Sequence, residues 1–243
     1  MRTLFSIILI VLTLFIFGCT SEKSKNVMHF AVSAEYPPFE YIEQNELKGF
    51  DIDLANLIAK HLGKQAVFDN MQFSTILPAL SLGQVDAAIS TITITPARQQ
   101  HFDFTAPYYF ETMAAVFRKN KPVHSKAALK GKIIACQLGS TMEIWLRKTI
   151  PDAFIVAMDN NTQAIEAVKA GHADLVLMDG PQGAIFSQKN SSLGYSIIAQ
   201  SRDGYGIVLP KNSPLKAKIN RILNTLKAQG EIEKLKQKWL AGA

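Results

Sequence analysis

Short apolar runs alternate with amphipathic stretches of helical period along this chain, and the alternation occurs twice. Residues 28–33 read as a strand, and Ala34-Glu-Tyr-Pro-Pro-Phe39 follows as a stiff loop, because two prolines oppose regular structure there. Gly49-Phe50-Asp51 opens a helix with Leu54, Leu57, Ile58 and Leu62 on one face and Gly63 at its end. A strand over 66–68, a helix over 74–82 and a strand over 87–90 come next. After the polar run Arg118-Lys-Asn-Lys-Pro122 the order recurs: a strand over 132–137, a helix after Ser140, a helix from Asn161 ending at Gly171, and a strand over 173–178. Ser213-Pro214 starts a long helix, and Gly230 separates it from a last amphipathic segment holding Ile232, Leu235 and Trp239. Alternation of this kind predicts an α/β protein with mostly parallel sheets covered on both faces.

The two halves share a pattern. Leu82-Gly-Gln-Val-Asp86 and Ala170-Gly-His-Ala-Asp174 each leave a helix through glycine and enter an apolar strand four residues later. Aligned on Asp86 and Asp174, Thr91 falls opposite Asp179. Similar lobes facing each other would place these residues at equivalent strand ends on opposite walls of one cleft, where open α/β sheets bind small ligands.

Composition narrows the class. The 243 residues are 48% hydrophobic and 19% charged, enough to bury a sizeable core. Residues 4–17 are apolar apart from Ser6 and Thr13 and follow Met1-Arg2-Thr3, which reads as a secretory signal rather than a membrane span. The segment Ile16-Phe-Gly-Cys19 resembles the bacterial lipoprotein cleavage box, in which the cysteine becomes the lipidated first residue. Phe17 is bulkier than usual for that box, so ordinary cleavage nearby and an uncleaved anchor remain alternatives. Cys136 is the other cysteine and sits in an apolar run, which excludes a disulfide framework and matches no zinc-ligand spacing; no metal and no cofactor are expected. The net charge of +6 lacks the basic runs interleaved with aromatics that nucleic-acid binding would show.

The candidate chemistry centres on residues 90–98, Ser-Thr-Ile-Thr-Ile-Thr-Pro-Ala-Arg. Thr95 before Pro96 is a helix-start signal, and Arg98 falls in the first turn beside amides without helical partners. A carboxylate there would meet a guanidinium and the hydroxyls of Thr91 and Thr93. In the second half, Ser140 and Glu143 are spaced as a capping box, which makes Thr141 the first helical residue.

These residues, with Tyr36-Pro-Pro-Phe39, Gly49-Phe-Asp-Ile-Asp53, Phe102-Asp-Phe-Thr-Ala-Pro-Tyr-Tyr109 and Gly139-Ser-Thr141, resemble the solute-binding proteins of ABC transporters for polar amino acids, from about Met28 to Trp239. The resemblance implies a two-lobe periplasmic binding protein fold with the ligand cleft between lobes and two hinge crossings, near Phe117 to Lys119 and near Ser201 to Gly206. It divides the chain into a signal peptide (1–18), a lipidated linker (19–27), a first lobe (28–117 with 206–243) and a second lobe (118–205). It implies that Arg98, with Thr93 and the Thr141 amide, takes the ligand α-carboxylate, and that Ser140 is also a ligand-site residue. Asp179 takes the α-ammonium beside the carbonyl of Ser90 or Thr91, and Tyr36 and Phe73 sandwich the side chain. The acid that reads a cationic side chain in relatives is Ser33 here. Glu35 is acidic but offset, and Gln137 sits at a strand end within reach. Arginine leads as ligand because a guanidinium stacks well on aromatic faces, with glutamine, lysine and histidine open. The implied protein is a monomer in the periplasm or on the outer face of the cytoplasmic membrane, lipid-anchored, delivering its ligand to an inner-membrane permease. A prephenate-type dehydratase on the same fold is the enzymatic rival, although the histidines are scattered and no hydrolase elbow is present.

Overall fold

A computed structural model describes residues 26–241; the signal segment, the Cys19 box and most of the linker lie outside the described residues. The first lobe begins with β1 (Val27–Val32), β2 (Glu35–Tyr36), β3 (Glu40–Glu43), β4 (Glu46–Lys48), α1 (Phe50–His61), β5 (Gln65–Asn70), α2 (Phe73–Ser81), β6 (Ala87–Ala88), α3 (Pro96–His101) and β7 (Phe102–Phe104). The second lobe holds β8 (Tyr109–Arg118), β9 (Ile133–Gln137), α4 (Thr141–Thr149), β10 (Phe154–Met158), α5 (Asn161–Ala170), β11 (Leu175–Asp179), α6 (Gly180–Lys189) and β12 (Leu193–Tyr205). The chain then returns through β13 (Val208–Pro210), α7 (Leu215–Ala228) and α8 (Glu231–Leu240) to complete the first lobe.

Each lobe is built on a five-stranded sheet, ordered β5-β1-β6-β13-β7 in the first and β10-β9-β11-β8-β12 in the second. Both sheets are mixed rather than mostly parallel. In each, two ladders are parallel and two antiparallel, because one strand that adjoins a crossing between lobes, β13 in the first and β8 in the second, runs against both its neighbours. Helices cover both faces. Phe30, Leu54, Ile58 and Ile219 fill one core of the first lobe, while Ile76, Leu80 and Ile92 fill the opposite one. Leu146 and Ile165 lie in separate cores on either side of the second sheet.

The internal repeat is visible as identical hydrogen bonding. Asp86 Oδ2 accepts from the amide of His29 at 2.9 Å, and the Asp86 amide donates to the His29 carbonyl at 3.0 Å. Asp174 does the same with Ile133, at 2.9 and 2.8 Å. In both lobes the aspartate after the helix-ending glycine therefore pins the start of the neighbouring strand.

The first crossing departs from the sequence expectation. All of β8 pairs within the second sheet, from Tyr109 opposite Tyr205 to Arg118 opposite Leu193, so the chain changes lobes at residues 105–108 and not near Phe117 to Lys119. Residues 109–117 thus pair in the second sheet, although Tyr109 and its partner Tyr205 pack on Phe39 in the first-lobe core; the polar run after Phe117 marks the end of a strand. The return crossing follows Tyr205 and lies beside the first. Thr105 N donates to the Ile207 carbonyl at 3.0 Å and Tyr108 N to the Tyr205 carbonyl at 2.9 Å. Two adjacent, hydrogen-bonded strands of backbone make a narrow hinge.

Two further elements carry no expectation from the sequence pattern. The hairpin β3–β4 turns at Gln44 and Asn45, both at positive φ, a region asparagine tolerates better than most residues. Helix α6 starts at the Gly180-Pro181 pair, where proline is pre-set for a first turn. Gly49 is a backbone requirement: its φ is +133°, and a Cβ there would lie 2.1 Å from the Phe39 carbonyl oxygen.

Candidate functional site

The cleft between the lobes is lined by Tyr36, Phe73, Thr91, Thr93 and Arg98 from the first lobe and by Glu111, Gln137, Ser140, Thr141, Met142 and Asp179 from the second. The expected residues converge there with two exceptions. Ser90 is fully buried, donates from its hydroxyl to Glu40 Oε1 at 2.8 Å and accepts from the Ser33 amide at 3.0 Å, so its side chain supports the loop. Ser33 lines an adjoining cavity together with Glu35.

Local sequence explains how Arg98 is delivered. Thr95 Oγ1 accepts from the Arg98 amide at 3.2 Å, and Pro96 is the first residue of α3. The Arg98 guanidinium is only 9% exposed. It donates to the Thr93 carbonyl at 2.9 Å and across the cleft to the Gly139 carbonyl at 3.1 Å. Burial lowers its pKa to about 10, an effect opposed by the Glu111 carboxyl. It remains a cation at neutral pH. Its carbon centre lies 6.0 Å from the Phe73 ring centroid, at the outer limit of a cation–π contact.

Thr91 has φ +48°, an outlying conformation for a β-branched residue. Asp51 holds it there: Oδ2 accepts from the Thr91 amide at 2.9 Å and from the Tyr108 hydroxyl at 2.8 Å. Burial pushes the Asp51 carboxyl up to about 7 and the Glu40 carboxyl well above the usual range, the latter also because Asp51 faces it. This buried acid pair fixes the floor of the cleft beneath Thr91 and Ser90.

The second lobe offers a helix start and two acids. Ser140 Oγ accepts from the Glu143 amide at 3.2 Å, and Glu143 Oε2 accepts from the Gly139 amide at 2.8 Å, so the capping box closes one residue earlier than the motif implies. Thr141 then begins α4, with its hydroxyl 3.2 Å from that of Thr93 in the other lobe. Asp179 ends β11, is 3% exposed, and accepts from the Tyr36 hydroxyl across the cleft. Burial raises the pKa values of both groups, and the Asp179 carboxyl raises that of Tyr36 further.

Glu111 and Met142 are cleft residues that sequence reasoning missed. Glu111 shares a face of β8 with buried Met113, Ala115 and Phe117, and an acid at such a position is a readable signal. Its Oε1 accepts from the Thr93 hydroxyl at 2.9 Å. Glu35, offset in sequence, proves to face the site: its Oε1 accepts from Gln137 Nε2 across the cleft at 3.1 Å. It lines a cavity of about 280 Å³ with Ser33, Asn70, Gln72, Asp159 and Asn160. Burial pushes the Glu35 carboxyl up to about 7, against the hydrogen bonds from Gln137 and Ser33.

A cleft between two α/β lobes on a two-strand hinge, with a cation on one wall and acids on the other, defines a solute-binding protein. The chain belongs to the bacterial extracellular solute-binding proteins, family 3, which it matches over residues 28–242. It is 35% identical over 232 residues to ABC transporter arginine-binding protein 1 of Escherichia coli (strain K12), covering 93% of this chain and 94% of that protein. It is 32% identical over 227 residues to arginine-binding extracellular protein ArtP of Bacillus subtilis (strain 168), covering 91% and 89%. The solved structure of an ancestral arginine-binding protein bound to arginine superposes with a TM-score of 0.85 at 35% identity, covering 88% of this chain and 98% of that one.

Proposed function

We propose that this protein is the extracytoplasmic binding component of an ABC importer, and that it takes an L-amino acid, arginine first among them, and delivers it to an inner-membrane permease. The observation that carries the reading is the placement of Arg98 and Asp179, opposite charges from opposite lobes, on one cleft. A zwitterion needs one partner of each sign, so a ligand held by both ties the lobes together. Arg98 with Thr93 and Thr141 faces the α-carboxylate, Asp179 faces the α-ammonium, and Tyr36 and Phe73 flank the side chain. Arginine is favoured because Glu35 and Asp159 line the adjoining cavity, reached past Gln137, where a guanidinium would meet carboxylates. A neutral side chain would leave the half-buried Glu35 without a cation. The named functions of the relatives point the same way.

The magnitudes call for all of these contacts together. A hydrogen bond to a charged group contributes roughly 1.5–3 kcal/mol, whereas micromolar affinity needs about 8 kcal/mol, and lost ligand freedom costs about 4 kcal/mol or more. One salt bridge is insufficient. The protein acts as a monomer without a cofactor, outside the cytoplasmic membrane and anchored through lipidated Cys19. The test is a thermal-shift screen over the twenty amino acids, ornithine and citrulline, with prephenate turnover assayed in parallel. At a hundredfold excess over Kd, ligand stabilises by about 2.7 kcal/mol. Arginine should give the largest shift and prephenate no turnover. No shift with any amino acid would overturn the reading.

A further inference from the structure

Two carboxyl groups, and not one, line the cleft that holds the Arg98 guanidinium. Glu111 is 4% exposed and Asp179 3% exposed, and Glu111 Oε2 and Asp179 Oδ1 are both buried without a hydrogen-bond partner. The groups packed around Glu111 are Asp179 on β11, Tyr205 on β12, Tyr109 on its own strand, Tyr36 on β2, Thr93, and Arg98 on α3. Arg98 is the one cation among the described residues lining this cleft. In this cleft the α-ammonium and α-carboxylate of a bound amino acid add one charge of each sign and change no balance; the guanidinium of arginine would lie in the adjoining cavity beside Glu35 and Asp159.

With both carboxyls ionised, the closed cleft therefore holds an uncompensated buried negative charge, which is strongly unfavourable. With one proton it is neutral. Asp179 accepts from the Tyr36 hydroxyl and faces the ammonium position, both of which favour its ionised form. The proton belongs on Glu111.

Resting on the amino-acid reading above, we propose that Glu111 is a further ligand-site residue that works as a neutral carboxylic acid, so that ligand binding and lobe closure take up a proton from solvent. Thr93, which donates to Glu111 at 2.9 Å, comes from the first lobe, while Glu111 and Asp179 sit on paired strands of the second. Separating the lobes removes Thr93, Tyr36 and Arg98 from Glu111 and admits water, which returns the carboxyl towards ordinary acidity. In the closed cleft, burial and then the facing Asp179 carboxyl push it up to about 10. Between those two values closure binds a proton, so affinity falls as pH rises. The device favours capture of solute in acidic surroundings.

Calorimetry with L-arginine tests this. Over pH 6 to 8, where arginine keeps both its cations, the Kd of the wild type should weaken relative to that of Glu111→Gln by about tenfold per pH unit, the slope of one linked proton, since titration of Glu35 is common to both. The difference in binding enthalpy between phosphate and Tris at pH 7 should show about one proton more taken up by the wild type than by Glu111→Gln. Glu111→Gln removes the titrating carboxyl and should lose both the slope and the proton uptake, whatever its affinity at pH 6. A slope and a proton uptake unchanged in Glu111→Gln would overturn the inference while leaving the amino-acid reading intact. Failure of the wild type to bind arginine, glutamine, lysine or histidine at any pH would overturn that reading and this one with it. If that variant does not fold, the proton uptake of Glu35→Gln, which lacks the adjoining cavity's carboxyl raised to about 7, decides: about one proton supports the inference and none overturns it.

Discussion

Replacing Glu35 by glutamine separates selectivity from general affinity. The side chain keeps its size and can still pair with Gln137, whose Nε2 lies 3.1 Å from Glu35 Oε1 in the native cleft. What disappears is a negative charge at a cavity where the guanidinium of arginine would sit. A hydrogen bond to a charged partner contributes roughly 1.5–3 kcal/mol. The cavity opens to solvent, so screening places the effect at the lower end, near 1.5 kcal/mol, or about tenfold in Kd. Glutamine carries no cation, and for it the native Glu35 is a burial penalty. Its affinity should stay the same or improve. The assay is calorimetry of wild type and Glu35→Gln against L-arginine and L-glutamine at one pH and salt concentration, with citrulline as a neutral arginine isostere. The expected result is an arginine-to-glutamine preference that falls by about tenfold or more, with citrulline following glutamine. Equal losses for arginine and glutamine would show that Glu35 only braces the cleft through Gln137. An unchanged arginine Kd would remove the guanidinium from this cavity.

Arg98→Ala should abolish measurable arginine binding in calorimetry at millimolar ligand, since it takes away the carboxylate partner and the link to the Gly139 carbonyl. Asp179→Asn should weaken amino-acid binding by about 2 kcal/mol or more, roughly thirtyfold, while the unliganded melting temperature holds or rises, because a buried charge is relieved. Gly49→Ala should lower stability by about 2 kcal/mol or more, seen as a lower urea midpoint, since the backbone must leave φ +133° or displace the Phe39 carbonyl. The Glu40–Asp51 pair predicts a pH dependence of stability. Both folded-state values are raised, so the folded chain binds more protons than the unfolded chain between about pH 4 and the folded value near 7 for Asp51. Stability is therefore lost as pH rises through that window, and Glu40→Gln should reduce the fall in urea midpoint from pH 5 to pH 8.

The sequence by itself determined the repeating αβ order, most strand and helix positions, and the matched aspartates Asp86 and Asp174. It did so because period, glycine exits and capping residues act over a few neighbours. It also marked Arg98 through the Thr95-Pro96 helix start, and Asp179 by alignment of the halves. Tertiary structure alone decided which strands pair, hence the mixed sheets and the crossing at 105–108, because ladder partners are chosen by distant segments. It brought Glu35 to Gln137 over 102 positions of chain and Glu111 to face Asp179. No local pattern encodes those meetings. The charge balance they create exists only once the two lobes share one buried cleft, where water no longer screens each group separately.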